Sequence, residues 1–339
     1  MPLWLDAILI VVLALLIDRY IGEVPNSVHP LRWMGNMLAA IDRHVKNRQS
    51  WKATVAGFLS YLLVFAVFCG VGLCLTSLVR YGVSSVDPLA GEICWIILTA
   101  LLFKINFAIF SFRKHTGPIC EDLEKGDLES ADARVQMIVS RDTRGMDAEH
   151  VASSCCETVT ENLVDSVYSP LLYFGIFGLP GAIMFRCANL MDAMWGYLNE
   201  RYANIGHFPA RFDDVLGFVT SRVSPYFIAL AGMMLGMDWR AAVPAAKKDH
   251  RMTPSPNSGW SMTAAAAVLG IGMEKRGVYF MNPGHPLPTT DDVRRCCRLI
   301  ELASMIFLLT VCLILYGTIG IGVQLWCEDA LFGFWGSVF

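Results

Sequence analysis

The chain has 339 residues, of which 55% are hydrophobic and 17% charged, and its mean hydropathy is +0.47. This composition excludes an ordinary soluble enzyme and is typical of an integral membrane protein. A formal net charge of -3 and a pI near 6.2 exclude the basic surface of a nucleic-acid-binding protein, so a membrane and small molecules are the expected partners.

Six apolar segments are predicted to enter the membrane. They cover residues 3–17, 54–79, 89–112, 168–191, 215–237 and 299–326. The second and third of them have about 25 residues each, enough to cross roughly 30 Å of hydrocarbon. The first ends in Asp18-Arg19 without the small-residue cleavage site of a signal peptide, which indicates an uncleaved helix. The fourth is interrupted by two prolines and three glycines, which predicts a broken or re-entrant segment.

Lysine and arginine are concentrated in three polar loops, residues 18–53, 113–167 and 238–298. Because basic loops mark the cytoplasmic side, we expect these loops to carry cytoplasmic helical insertions and the active site. The sequence therefore predicts an all-α, polytopic protein of the cell membrane, with about five to six transmembrane or re-entrant helices. We expect residues 1–339 to form a single membrane-embedded domain.

The 11 cysteines are scattered along the chain. The doublets Cys155-Cys156 and Cys296-Cys297 do not provide the CxxC spacing of a zinc site. We therefore predict reduced, small apolar residues with no role in the chemistry.

The stretch SCCETVTENLVDSVYSPLLYFG places Glu157, Glu161 and Asp165 four residues apart. On a helix these carboxylates form a ladder along one face, with Asn162 beside it. The ladder is either a solvated cytoplasmic face or a site for a divalent cation and a phosphate, because Mg²⁺ prefers hard oxygen ligands.

Two further stretches carry groups that suit an anion. SRDTRGM contains Arg141, and is either a phosphate- or carboxylate-binding segment or a surface turn. KKDHRMTPSPNSGWS contains Lys248 and Arg251, followed by Ser255 and Asn257. Cationic residues before a helix start favour anion binding, and they also suit a cytoplasmic membrane anchor.

The stretch ARFDDV places Arg211 beside Asp213 and Asp214, which is typical of a metal-binding carboxylate pair or of acids that stabilise a helix N-terminus. His29 lies in a turn-rich segment after the first helix, and a lone histidine is more often structural than catalytic. The chain has no GxxxxGK[ST] motif and no GxGxxG that opens a helix after a strand. An ATP-dependent enzyme with this sequence would not be a P-loop protein.

An ordered set of motifs over nearly the whole chain resembles the adenosylcobinamide-phosphate synthase family of cobalamin (vitamin B12) biosynthesis. The motifs are DRYIGEVPNSVHPLRWMG, SRDT, ETVTENLVDSVYSPLLYFGIFGLPGA, NLMDAMWGY, ARFDDV and SPNSGW. The resemblance implies a ligase that needs ATP and Mg²⁺. It would join adenosylcobyric acid to (R)-1-aminopropan-2-ol O-2-phosphate, or to the free aminopropanol, to give adenosylcobinamide phosphate or adenosylcobinamide. The corrin cobalt would arrive with the substrate, and other cobalamin-assembly enzymes are possible partners.

The chemistry that this resemblance implies assigns roles to the residues above. The catalytic candidates are Glu157, Glu161, Asp165 and His29. The candidates for binding substrate and phosphate are Arg141, Asn162, Asp192, Arg211, Lys248, Arg251, Ser255 and Asn257. Some subset of Glu157, Glu161, Asp165, Asp213 and Asp214 would hold Mg²⁺.

Three alternatives remain open at the level of sequence. A distant branch of the superfamily resembles a membrane sensor without ligase activity. An Asp-rich membrane phosphotransferase is a second possibility, although DDVLG lacks the third aspartate of a DDxxD site. Gly217 departs from the resembled synthase family, which often has asparagine there, and this departure concerns the substrate preference rather than the reaction class. A transporter would place ionisable residues at mid-span, where this chain has chiefly Glu92, Lys104, Arg186 and Arg222.

Overall fold

A computed structural model describes residues 1–45 and 50–338, and these residues are mostly helical. The α-helices are α1 (Leu3–Tyr20), α2 (Pro30–His44), α3 (Trp51–Leu78), α4 (Pro88–Lys104), α5 (Ser111–Glu124), α6 (Leu128–Val135), α7 (Ala148–Leu163), α8 (Ser169–Phe177), α9 (Leu179–Trp195), α10 (His207–Met234), α11 (Ala242–Asp249), α12 (Ser258–Leu269), α13 (Thr290–Phe307), α14 (Leu313–Leu315) and α15 (Ile321–Val338). Short π-helical segments follow α3, α7, α13 and α14.

One antiparallel hairpin interrupts the helical chain. It consists of β1 (Met273–Lys275) and β2 (Tyr279–Met281), with Lys275 opposite Tyr279. The left-handed backbone of Gly277, with φ at +74°, lies in the connection between the strands. An all-α description therefore omits a small element that the candidate site uses.

Three helical segments are long and apolar enough to cross a membrane among the described residues. They are Trp51–Val83, His207–Met234 and Thr290–Gly333. They support a helical membrane protein, and the larger number of five to six spans stays a prediction.

Two predicted apolar segments differ from simple spans. Residues 168–191 are divided between α8 and α9 at Gly178, whose φ is +66° and where an added Cβ would stand 2.6 Å from Gln324 Cβ. Only glycine fits this break without strain.

The predicted 89–112 segment contains α4, which ends at Lys104, and a new helix begins at Ser111. The buried Lys104 ammonium pairs with Asp18 at 3.0 Å and donates to the Phe107 carbonyl at 3.1 Å.

The chain divides into two compact units, and the single membrane-embedded domain stays a prediction. The first unit comprises Met1–Ala108, Ser169–Leu216 and Leu309–Phe339, and the second comprises Ile109–Tyr168 and Gly217–Leu308. In the first unit α3 packs against α9 and α15, and α1 packs against α4. Its core contains the buried side chains of Leu38, Phe185 and Trp195. Hydrophobic burial of this kind stabilises the unit.

The second unit is built around α7, which packs against α5, α6, α12, α13 and strand β1. The predicted polar loops 113–167 and 238–298 both lie in this unit. Small buried residues such as Ala152 and Cys155 let these neighbours approach α7 closely. All 11 cysteines are free, and burial raises the pKa of the Cys155 thiol well above its usual value, as expected for apolar, unreactive cysteines.

Candidate functional site

The Glu157 carboxylate is the centre of a polar cluster in the second unit. Its side chain is buried, with 2% of the residue exposed. Oε2 lies 2.9 Å from Arg141 Nη2 and accepts a hydrogen bond from the Tyr279 hydroxyl at 2.6 Å. Oε1 accepts from Ser153 Oγ at 3.0 Å. Three donors thus compensate the buried charge and hold the carboxylate in one orientation.

Three separate chain segments supply these donors. Ser153 lies one helical turn before Glu157 on α7, and its hydroxyl also accepts from the Glu274 backbone N–H at 2.9 Å. That bond attaches the hairpin to α7. Lys275 and Tyr279 are opposite each other on the hairpin, so their side chains share one face. Arg141 comes from the loop between α6 and α7.

Glu161 lies one turn beyond Glu157 and keeps solvent-exposed surface. Its carboxylate makes no hydrogen bond or ion pair with any residue of the ranges 1–45 and 50–338. Desolvation by the surrounding protein raises the pKa of Glu161, while the Lys275 ammonium opposes this shift. Glu161 is therefore the carboxyl of this ladder that combines a raised pKa with surface that a ligand could reach.

The regular α-helix that carries Glu157 and Glu161 ends at Leu163, before Asp165. The helix continues as a π-helical segment, Val164–Tyr168, which contains the half-buried Asp165. Asn162 is committed to the helix itself, since its Nδ2 donates to the Thr158 carbonyl at 2.9 Å and its Oδ1 accepts from Ser166 Oγ at 3.1 Å. These bonds give Asn162 a local structural role, and its predicted contact with substrate stays untested.

The predicted basic stretch lies in the same unit, on and after α11. Lys248 and Arg251 are exposed, while Ser255 Oγ accepts from the Asn257 backbone N–H at 3.2 Å. The buried Asn257 Oδ1 accepts from Arg222 Nη1 at 2.7 Å and from Ser221 Oγ at 3.1 Å. Asn257 therefore fixes Arg222 within this unit.

The packing around Asn257 explains why position 217 has a glycine. A Cβ added there would stand 2.8 Å from Asn257 Nδ2, so a larger residue would displace the asparagine.

The remaining candidates lie in the first unit. His29 caps α2, because its Nδ1 accepts from the Leu31 backbone N–H at 3.2 Å. Burial lowers the pKa of His29, which favours the neutral ring, and Glu23 acts in the opposite direction. Arg211 and Asp214 form a long ion pair of 3.9 Å, and Asp213 is half-buried.

Among the candidates in the first unit, Asp192 is the acid with a strongly shifted pKa. Burial raises the pKa of Asp192 to about 6, and the neighbouring Asp214 carboxylate raises it as well. A raised pKa means that the folded state binds the proton more tightly than the unfolded state does.

We expect Asp192 to make the folded state less stable as the pH rises. Its stabilising effect is complete below the unfolded pKa of 3.8 and is lost as the pH passes about 6, because ionisation then creates a poorly solvated charge. Asp192→Asn should remove this dependence, so the variant gains stability relative to the parent between pH 4 and pH 7. Denaturant unfolding in one detergent across this pH range measures the difference. Parallel pH profiles for the two proteins would contradict the assignment.

The five predicted metal ligands do not form one ready-made metal site. Among the described residues, no group of three or more histidine, cysteine, aspartate or glutamate side chains is arranged to hold a metal ion. Glu157 is already occupied by three donors. The arrangement suits an ion that takes one or two carboxylates and completes its shell with water and substrate phosphate, as Mg²⁺ does. Glu161, whose carboxylate is exposed, is the ladder residue that fits this mode, and metal binding by Asp165 stays a prediction.

Four residues of the polar clusters were missed as site candidates by the sequence reasoning. Ser153 precedes Glu157 by one turn, and Lys275, Tyr279 and Arg222 come from distant parts of the chain. The segment MEKRGVYFM carried a signal for Lys275 and Tyr279, since a glycine-containing turn between β-prone residues is typical of a hairpin. Nothing in the sequence indicated which helix the hairpin would contact.

A family profile described as CobD/Cbib protein matches residues 11–300. The probable cobalamin biosynthesis protein CobD of Methanothermobacter thermautotrophicus is 36% identical over 300 residues, covering 88% of this chain and 94% of the relative. The protein of the same name from Pyrococcus furiosus is 35% identical over 306 residues, covering 90% and 98%. That of Thermococcus kodakarensis is 36% identical over 304 residues, covering 89% and 94%. No solved structure matches the chain.

Proposed function

Because the chain belongs to the CobD/Cbib family, we propose that it acts in cobalamin biosynthesis as adenosylcobinamide-phosphate synthase, an amide-forming ligase. The substrates would be adenosylcobyric acid, aminopropanol phosphate and ATP. The enzyme would be a multi-pass protein of the cell membrane, with its active site facing the cytoplasm.

The observation that best supports this chemistry is the cluster of Glu157, Arg141 and Tyr279 beside the open carboxylate of Glu161. A carboxylate is a poor acyl donor, so the proposed reaction begins with transfer of the γ-phosphoryl group of ATP to the corrinoid carboxylate. The amine nitrogen then attacks the acyl phosphate, the carbon–oxygen bond to phosphate breaks, and the nitrogen loses a proton. The products are the amide, ADP and phosphate.

The residues of the second unit provide groups for these steps. Lys275 and Arg141 are cations near Glu161, and they would bind the anionic oxygens of the transferring phosphoryl group. Glu161 and Asp165 would hold Mg²⁺, which compensates phosphate charge when bound. Tyr279 and Ser153 would keep Glu157 from rotating, so that Arg141 stays in place. The proton-acceptor role of His29, which lies in the first unit, stays a prediction from the sequence alone.

An assay on the purified protein in detergent tests the proposal. Adenosylcobyric acid, ATP, Mg²⁺ and either aminopropanol phosphate or aminopropanol are supplied, and corrinoid products are followed by mass. We expect a product heavier by one amine less water, formed only with both ATP and Mg²⁺. The preferred amine then decides whether the phosphate is present before the amide forms.

The sensor alternative makes a different prediction for the same samples. Binding of adenosylcobyric acid without any product, under conditions where a verified synthase turns over, would contradict the ligase proposal. Product formation independent of ATP would contradict the acyl-phosphate route while leaving the amide product in place.

A further inference from the structure

A cavity of about 450 Å³ lies in the first unit, whereas the acidic ladder belongs to the second unit. It is bordered by the first turns of α2, the second half of α3, the end of α4 and one residue of α9. Its lining includes Val67, Val71, Gly72, Leu75, Leu102 and Asn106. Its volume falls within the range of small-molecule binding sites.

The walls of the cavity are apolar. No charged side chain among the described residues lines it, and Asn106 is its one amide. Asn106 is already engaged, since its Nδ2 donates to the Leu102 carbonyl at 2.7 Å and its main-chain carbonyl accepts from Arg186 Nε at 2.8 Å. A charged or strongly polar ligand would lose its hydration here without gaining partners. The cavity therefore selects a hydrocarbon group.

The cavity is continuous with the surface that α3 presents to the membrane. Val67, Val71 and Leu75 line it, yet they are 41%, 55% and 44% exposed. They are spaced four residues apart, so they form one row along α3, within the candidate span Trp51–Val83. In a bilayer this row contacts lipid tails, and the cavity opens beside it.

We propose that this cavity binds one hydrocarbon chain of a membrane lipid. The inference is independent of the ligase function, because it rests on the apolar walls and on the lipid-facing row of α3. A seated chain would fill the space between α2, α3 and α4 and would couple the packing of these helices to the lipid composition of the membrane.

Two glycines on α3 offer a matched pair of variants. Gly72 is buried and lines the cavity, and a Cβ there would stand 3.4 Å from Ile183 Cδ1, so a side chain has room to grow into the space. Gly70 lies two residues earlier, does not line the cavity, and a Cβ there would meet no atom within 4 Å. Gly72→Trp should fill the cavity, and Gly70→Trp should leave it open.

The probe is phosphatidylglycerol with a photoreactive diazirine at the end of one acyl chain, in nanodiscs of phosphatidylcholine and phosphatidylglycerol. Crosslinked peptides are mapped by mass spectrometry after irradiation. We expect saturable labelling of the segments around Val71 and Leu102. It should fall by about tenfold or more in Gly72→Trp, equivalent to losing about two buried methylene groups, and stay unchanged in Gly70→Trp.

A second variant protects the test against a folding defect. Leu102→Trp fills the same cavity from α4, and size-exclusion profiles and melting temperatures report whether each variant is intact. Equal labelling of the parent protein and an intact cavity-filled variant would overturn the proposal. So would an equal loss in Gly70→Trp, since that result would indicate unspecific contact with the surrounding bilayer.

Discussion

Replacing Glu161 with glutamine is expected to lower the rate of amide formation by about 100-fold or more, with little change in the stability of the protein. Glu161 is exposed and desolvated by surrounding protein, and its carboxylate makes no hydrogen bond or ion pair in the described part of the chain. A carboxylate with no structural partner can be neutralised without unfolding its surroundings. If it meets Mg²⁺ and phosphate, the loss appears in catalysis.

Glu149→Gln is the matched control for this experiment. Glu149 is an exposed glutamate in the first turn of the same helix, α7, and it changes charge by the same amount. Its turnover should remain within about twofold of the parent, because surface substitutions away from a site have small effects. Initial rates at saturating ATP, measured over a range of Mg²⁺ concentrations, show whether the lost carboxylate contributed to Mg²⁺ binding. A rise in the Mg²⁺ concentration needed for half-maximal rate is expected for Glu161→Gln alone.

Two outcomes would remove Glu161 from the proposed mechanism. One is a turnover of Glu161→Gln equal to that of Glu149→Gln. The other is a loss of activity that follows a lower melting temperature, because it would make Glu161 a structural residue. Thermal unfolding in the same detergent therefore accompanies the rate measurements.

For the acidic ladder, the sequence predicts the positions of the carboxylates on a helix but not their surroundings. A spacing of four residues correctly placed Glu157 and Glu161 one turn apart on a helix. The same spacing could not show that one would be buried and bonded by three donors while the other stays open. That difference comes from Arg141 and Tyr279, which are brought to α7 by a loop and a hairpin far apart in sequence.

The helical architecture was predicted from composition for a simple reason. Long apolar segments such as residues 54–79 satisfy their own backbone hydrogen bonds as helices, and a membrane leaves few alternatives. The break at Gly178 was also signalled, by the glycines and prolines of residues 168–191. The end of α4 at Lys104 was not, and the pairing of Lys104 with Asp18 joins two helices that are far apart in sequence.

Removing Arg141 is expected to destabilise the protein strongly. Arg141→Ala leaves the Glu157 carboxylate buried with only the Tyr279 and Ser153 hydroxyls as donors. Breaking one partner of a buried ion pair typically costs about 3–5 kcal/mol, and the two remaining donors place this case near the lower value. Activity should fall as well, since Arg141 is a proposed phosphoryl-binding residue. Denaturant unfolding of the purified protein in one detergent measures the stability loss.

Arg144→Ala is the control, because it lies three residues away in the same loop and also pairs with a carboxylate. Arg144 and Asp142 are 2.5 Å apart, but their side chains are 86% and 58% exposed. A solvated pair contributes little to stability because water screens it, so this variant should unfold at nearly the parent denaturant concentration. The contrast tests burial, because both variants remove an arginine from one loop.

The double variant Arg141→Ala/Glu157→Gln separates a lost attraction from a charge left unpaired. If the unpaired carboxylate causes most of the damage, neutralising it should recover part of the stability, and the two effects should be less than additive by about 1–3 kcal/mol. Additive losses would mean that Arg141 and Glu157 stabilise the second unit independently. That result would contradict the polar cluster around Glu157 as an energetically coupled unit, even if the chain still formed the amide product.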